Sequence, residues 1–368
     1  MRIRSLTFID HRTGWNIKDL KFDYLTLLVG ASGVGKTKIL RAILDIAKIA
    51  KGKSCNGVEW EITFEQSSTE YVWSGRFELT PEDDVNFFEK GENSYILLSE
   101  NLKCGGKNII ERDKEKLLFQ GRETVKLDAT QSAIVLLKEE PIVKPVSAAF
   151  IQIYQLENAN EGIRVSPSIS KKREQIKDIL SVHDSRFLLP VEKLFVLHKN
   201  GLQEFNEIKS IFKDIFPLVE DVDFTKERFF DGTVIPLLKI KEKGVSSWIM
   251  QDEISSGMFR TLSQITILVL AQDGDVILID EFENGLGVNC IDRLANQIIE
   301  QEKDIQFIIT SHHPYIINNI PFKRWKIVTR KTSDVTVLSA ADLKIGEHSK
   351  HEAFMQLVQT KAFKTGQK

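Results

Sequence analysis

The stretch Gly30-Ala31-Ser32-Gly33-Val34-Gly35-Lys36-Thr37 has the G-x-x-x-x-G-K-T spacing of a phosphate-binding loop. Glycines let backbone N–H groups turn toward anionic oxygens, and a helix starting there adds the positive end of its dipole. Lys36 is placed to reach the β- and γ-phosphates of a nucleotide, and the Thr37 hydroxyl to hold Mg²⁺. A glycine-rich turn before a helix would share part of this pattern, but the flanks supply the context the motif requires. Tyr24 to Val29 is an apolar run that reads as a buried strand, and Lys38 to Ile49 carries Ile39, Leu40, Ile43, Leu44 and Ile46 at helical spacing. These residues predict a nucleotide-binding protein.

A second group completes the chemistry. Asp275 to Ile279 reads as a buried strand running into two carboxylates, Asp280 and Glu281. Asp280 would hold Mg²⁺, usually through water, and Glu281 would orient or polarise an attacking water. Adjacent acids after a strand are common by chance; here Phe282-Glu283-Asn284-Gly285-Leu286 follows, and then the apolar strand Gln306 to Thr310 ending in Ser311-His312-His313-Pro314. A lone histidine is most often a satisfied core residue. Its place beyond an apolar strand and downstream of the acids makes His312 a candidate sensor of the terminal phosphate.

The elements that must position these groups are readable from the pattern. The chain has 368 residues, 42% apolar and 28% charged, enough for a sizeable core. A net charge of −2 excludes a global basic field, so any nucleic-acid surface must be local. Cys55, Cys104 and Cys290 are scattered, which excludes a disulfide framework or zinc ribbon and fits a reducing cytosol. No apolar run has membrane-spanning length and no signal-peptide pattern opens the chain, so a cytoplasmic protein is expected. Met1 to Ile9 reads as a strand, and His11 to Trp15 as a turn. Val58 to Phe64, Tyr71 to Leu79, Tyr95 to Leu98 and Lys116 to Phe119 suggest a β-rich lobe inserted after the first helix. From Ser168 to Phe216 the pattern turns helical; the stripe Phe195, Leu202, Phe205, Ile208, Ile211, Phe212, Ile215 reads as a core-facing helix pair rather than a partner groove. Val219 to Met250 returns to strands, broken at Asp231-Gly232 and Lys243-Gly244.

The ordered set of motifs resembles an ABC-type ATPase, and within that class the stand-alone "AAA"-labelled ATPases of the OLD and SMC-like branch. The matches are Gly30–Thr37, a Q-loop-like Gln131, a signature-like Ser255-Ser256-Gly257, Asp280-Glu281, a D-loop-like Glu283-Asn284-Gly285-Leu286, and His312 within Thr-Ser-His-His-Pro. The signature departs from the family's Leu-Ser-Gly-Gly-Gln, reading Ile254-Ser255-Ser256-Gly257-Met258. The resemblance implies an α/β fold, an ABC-type P-loop ATPase with a β-rich N-terminal lobe and a helical insertion. It implies an N-terminal lobe over 1–165, the insertion over 166–218, a C-terminal lobe over 219–330 and a tail over 331–368. It implies ATP and Mg²⁺ as cofactors. Gly30, Ala31, Ser32, Gly33, Val34, Gly35, Lys36, Thr37, Gln131, Ser255, Ser256, Gly257 and Asn284 would contact nucleotide, and Thr37, Gln131 and Asp280 would hold the metal. Lys36, Glu281 and His312 would act in hydrolysis. Ser255 could equally be an ordinary N-cap, and both readings can hold together. A signature that meets the nucleotide of a second subunit implies a homodimer around two ATPs, within an assembly that can be larger.

Three functions compete at this point. One is an ATPase governing a separately encoded effector, a nuclease or toxin, in a bacterial antiphage system triggered by DNA or a phage protein. The others are a DNA-repair or chromosome-handling ATPase and the energising subunit of a transporter. The signature, the β-rich lobe and the Thr-Ser-His-His-Pro string argue against the transporter and against a membrane partner. The missing long coiled coil argues against a DNA-spanning machine. OLD proteins proper carry a C-terminal Toprim nuclease; the scattered Asp334, Asp342, Glu347 and Glu352 do not suggest one here. Phe354, Leu357, Val358 and Phe363 suggest a small amphipathic helix, and His348 and His351 read as surface residues rather than metal ligands.

Overall fold

The structure, a computed structural model, describes residues 1–81, 95–156, 175–185, 188–228, 234–346 and 350–367. The expected helical start at Ser168 to Arg173, the break at Asp231-Gly232, Glu347, His348 and the His351 side chain lie outside the described residues. Two compact units divide the chain. The first joins Met1–Gln155, Asp273–Phe282 and Lys303–Lys368; the second joins Leu156–Gln272 and Glu283–Glu302.

The first unit is built on one sheet of fourteen strands among the described residues. Near one edge, Val276–Ile279, Gln306–Thr310, Leu25–Val29 and Trp325–Lys331 lie parallel in that order. Val276–Ile279 and Gln306–Thr310 are buried at every position, as is Leu25–Val29 after its first residue. A parallel strand covered on both faces must be apolar throughout, which is why these segments read as unbroken apolar runs. Their parallel direction also brings the residues after Val29, Ile279 and Thr310 to one end of the sheet, the usual place for a ligand in such sheets.

The other half of this sheet is antiparallel. Arg2–Asp10 pairs with Val58–Gln66, which pairs with Thr69–Phe77, and Leu97–Cys104, Lys107–Arg112, Leu117–Phe119 and Arg122–Glu123 follow. The strands of the β-rich segment expected after the first helix continue the sheet that carries the phosphate loop. Here burial alternates, as in Val58–Gln66, because one face packs inward. That face carries Trp60 edge-on to Trp73 at 5.0 Å and Phe64 stacked on Tyr71 at 5.4 Å. Phe150 of the helix Lys144–Ile151 covers them, 5.0 Å from Trp73 and 5.2 Å from Phe64. Trp325–Lys331 and Asp334–Ser339 form a hairpin that joins the two halves, pairing with Leu25–Val29 on one side and Trp15–Lys21 on the other. The expected boundary between 330 and 331 falls inside that hairpin.

The second unit is mainly helical. Gln203–Ile215 and Pro190–Lys199 both pack on Ser256–Leu270. Phe205, Ile208, Phe212 and Ile215 are buried, so most of the aromatic and aliphatic stripe is core. Val219–Arg228, Val234–Glu242 and Trp248–Met250 form a three-stranded antiparallel sheet. No helix among the described residues is long and apolar enough to cross a membrane.

Candidate nucleotide-binding site

Between Leu25–Val29 and the helix Lys36–Ala50, the loop Gly30–Gly35 turns the chain through a cap with no side-chain hydrogen bond at Gly35. Gly35 sits at φ +108, and a Cβ there would come within 2.5 Å of the Trp15 ring, so both backbone and neighbour require glycine. The Lys36 side chain is buried, 6% exposed, and folds into the loop. Its ammonium donates to Gly30 O at 3.0 Å and Ala31 O at 2.9 Å. A cation held inside a ring of backbone groups at a helix N-terminus is suited to phosphate oxygens.

A cleft of about 270 Å³ opens at this loop, lined among others by Ser32, Gly33, Gly35, Lys36 and Thr37. Asp280, Glu281, Thr310 and His312 line it too, delivered by the ends of the two neighbouring parallel strands. The carboxylate of Asp280 is the centre of a short network. Its Oδ1 accepts from Thr37 Oγ1 at 3.1 Å and from Thr310 Oγ1 at 2.7 Å. Thr310 Oγ1 in turn accepts the backbone N–H of Glu281 at 2.7 Å. Glu281 stands at φ +47, a left-handed conformation that side-chain-bearing residues rarely adopt. Thr310 thus fixes both acids: it orients the Asp280 carboxylate and supplies an acceptor for the unusual turn at Glu281. The sequence gives no signal for that role beyond a hydroxyl at the end of an apolar strand.

The oxygens of Thr37 and Asp280 fit a hard divalent cation such as Mg²⁺, which takes one or two protein oxygens and fills its shell with water and phosphate. No cluster of three His, Cys, Asp or Glu that could hold a metal occurs among the described residues. His313 does not line the cleft. Its Nδ1 accepts from Tyr315 N at 3.3 Å and caps the helix Pro314–Asn319.

Trp15, expected as the end of a turn, instead lines the cleft. Lys38 places its ammonium 3.7 Å from the centre of the Trp15 ring, and the Arg330 guanidinium lies 5.5 Å from it. Burial, with Arg330, Arg41 and Arg12 adding to it against the pull of Asp10, holds the Lys38 pKa below its ordinary value.

Gln131 is absent from the cleft lining. Its amide donates to Asp128 Oδ2 at 3.0 Å, and its backbone carbonyl accepts from Arg112 Nη1 at 2.7 Å. Immediately beyond it, Ser132 Oγ and Ala133 N donate to the fully buried carboxylate of Glu100, which also accepts from Trp73 Nε1 at 2.9 Å. Burial raises the Glu100 pKa above the ordinary carboxylate value, opposed by these donors and by Arg112.

The remaining predicted residues belong to the second unit. Ser255 is an N-cap, its hydroxyl accepting from Met258 N at 3.3 Å at the head of Ser256–Leu270. Ser255 and Ser256 are exposed. On the next turn, Arg260 donates to the backbone carbonyl of Asn284, and a Cβ on Gly257 would stand 3.2 Å from Gly285 O. The signature-like turn and the Asn284-Gly285 turn are therefore stapled together.

Residues 150–318 match the family described as "AAA domain, putative AbiEii toxin, Type IV TA system". That stretch is less than half of the chain. It begins after the phosphate loop and takes in the signature-like turn, the two acids and His312. No curated protein matches. Among solved structures, the chain is similar to an SMC head bound to the C-winged helix domain of ScpA, at 16% identity and a TM-score of 0.47, over 92% of this chain and 98% of that one. It is similar also to the SMC head domain from Thermotoga maritima, at 14% identity and a TM-score of 0.45, over 92% and 99% of the two chains.

Proposed function

We propose that this protein is an ABC-like ATPase that binds ATP with Mg²⁺ in the Gly30–Thr37 cleft, hydrolyses it, and dimerises around it. The observation that carries this reading is the convergence of Lys36, Thr37, Asp280, Glu281 and His312 on one cleft from three separate stretches of chain. Lys36 and the loop N–H groups would bind the β- and γ-phosphates. Thr37 and Asp280 would hold Mg²⁺, which neutralises phosphate charge when bound. The Glu281 carboxylate would orient water for in-line attack on the terminal phosphate, with His312 donating to that phosphate as charge develops. Gln131 enters this scheme only through movement of its loop toward the cleft.

The second half of the reading is a homodimer in which the exposed Ser255-Ser256-Gly257 turn and Asn284 meet the nucleotide of a partner copy. In this scheme the dimer controls a separately encoded nuclease or toxin of an antiphage system in the cytoplasm, with DNA or a phage protein as trigger. The family matched over 150–318 is described by its toxin and type IV TA systems, and that description supports an effector-linked role.

Steady-state ATP hydrolysis by the purified protein tests the first half, with Lys36→Ala as control; the wild type should turn over and the variant should lose nucleotide affinity. Light scattering with ATP and Mg²⁺ tests the second. The wild type should gain mass and Ser256→Arg should not; equal masses would remove the composite site.

A further inference from the structure

The described chain closes on the phosphate loop itself. Thr360 caps the short helix Lys361–Thr365, its hydroxyl accepting from Phe363 N at 3.1 Å, and Gly366 ends that helix at φ +69. Gly366 O accepts the backbone N–H of Arg330 at 2.8 Å, from the strand beside the phosphate-loop strand. The Gly366 backbone lies so close to Val34 that an added Cβ would overlap Val34 Cγ1 and reach within 3.6 Å of Ala31 Cβ. The other methyl group of Val34 faces Gly30, where a Cβ would meet Val34 Cγ2 at 3.4 Å. Val34 thus touches both glycines, one through each methyl group, and is 4% exposed. Gly30 and Ala31 are the residues whose carbonyls receive the Lys36 ammonium.

We propose that Gly366 is a positioning residue of the nucleotide site. By seating Val34, the strap Lys361–Gly366 holds the Gly30 and Ala31 carbonyls, and through them Lys36, in the shape that receives phosphate. A loop already in its bound shape spends less ordering entropy on binding, so release of the strap lowers affinity for nucleotide. Only glycine serves at this position: φ is left-handed and there is no room for a side chain. The strap is also continuous with the helix Lys350–Gln359, which packs on Pro314–Asn319, the helix that follows His312. One tail thus touches the phosphate loop and the segment beyond the candidate phosphate sensor.

The inference rests on the ATP-binding reading above, and titration calorimetry of the full chain with ATP and Mg²⁺ separates the two. A wild type that binds no ATP overturns the reading of the cleft. Where the wild type binds, Gly366→Ala should raise Kd about fivefold or more with the melting temperature within about 2 °C. In a Val34→Ala background, which opens space for the new methyl group, the same substitution should have little further effect, a coupling that a merely destabilised tail would not show. A chain ending at Thr360 removes the seat without adding strain and should show the same loss of affinity. Unchanged Kd in Gly366→Ala and in the shortened chain, or an undiminished effect in the Val34→Ala background, overturns the proposal.

Discussion

The two halves of the sheet in the first unit are made of the same material and do different things. In the parallel half, Leu25–Val29, Val276–Ile279 and Gln306–Thr310 point the same way, so their following residues arrive together and form the cleft. In the antiparallel half, neighbouring strands end at opposite edges, so adjacent strand ends do not arrive together. Glu100, a fully buried carboxylate of this half, faces inward and is taken up by Trp73, Ser132 and Ala133. Asp280 and Glu100 are both acids beside hydroxyl donors. Strand direction gives one a place at a cleft and the other a place in the core.

The sharpest way to break that comparison is at Glu281. Glu281→Gln keeps the shape of the side chain and leaves the phosphate loop alone, so ATP binding should persist while kcat falls about a thousandfold. A wild-type turnover number in single-turnover and steady-state assays would remove the acid from the chemistry and, with it, the functional meaning of the parallel half.

The next effect is expected in the other half. Glu100→Leu leaves the Trp73, Ser132 and Ala133 donors without their acceptor, at a cost of about 3 kcal/mol in chemical denaturation. The pH dependence carries a sign. The folded protein binds the Glu100 proton more tightly than the unfolded chain does, so this group's contribution is fullest below the unfolded value of 4.5 and is lost as pH rises through the raised folded value. The advantage of wild type over Glu100→Leu should therefore be largest near pH 4 and shrink toward neutrality. Turnover per folded molecule should stay within about twofold; a fall of more than about tenfold would mean the antiparallel half acts on the site through Gln131.

A smaller effect refines the parallel half. Thr310→Val preserves volume but removes the hydroxyl shared by Asp280 and Glu281. We expect kcat to fall about tenfold, about 1.4 kcal/mol, with KM for ATP nearly unchanged, and Thr310→Ser to restore most of the loss. A rise in KM with constant kcat would assign Thr310 to binding instead of positioning.

Much of the parallel half was legible because buried parallel strands are apolar runs that stop abruptly at polar residues. Val29 before Gly30, Ile279 before Asp280 and Thr310 before Ser311 each mark such a stop. The antiparallel half was less legible. Lys107–Arg112 carries Ile109 and Ile110 side by side, and the register slips opposite it between Leu102 and Lys103, so the period of two is lost. The pairing of Trp325–Lys331 with Leu25–Val29 joins segments far apart in sequence, and no local pattern carries it. The same is true of Trp15, whose meeting with Gly35 and Lys38 depends on strands brought together by the sheet. The roles of Gln131 and of the Ser255–Gly257 turn rest on family order, since neither local pattern distinguishes a ligand from a cap or a loop.

The placement of Trp15 has an optical consequence. Of the five tryptophans in the chain, Trp60, Trp73 and Trp325 are fully buried, Trp248 belongs to the second unit, and Trp15 alone lines the cleft. Its indole lies against two cations, Lys38 and Arg330, whose fields act on the ring and on its emission. An anionic nucleotide entering beside them would change that field directly. The molecule therefore carries its own fluorophore at the mouth of its site, and the signal it gives on nucleotide entry should vanish in Trp15→Phe while the emission of the buried indoles stays the same.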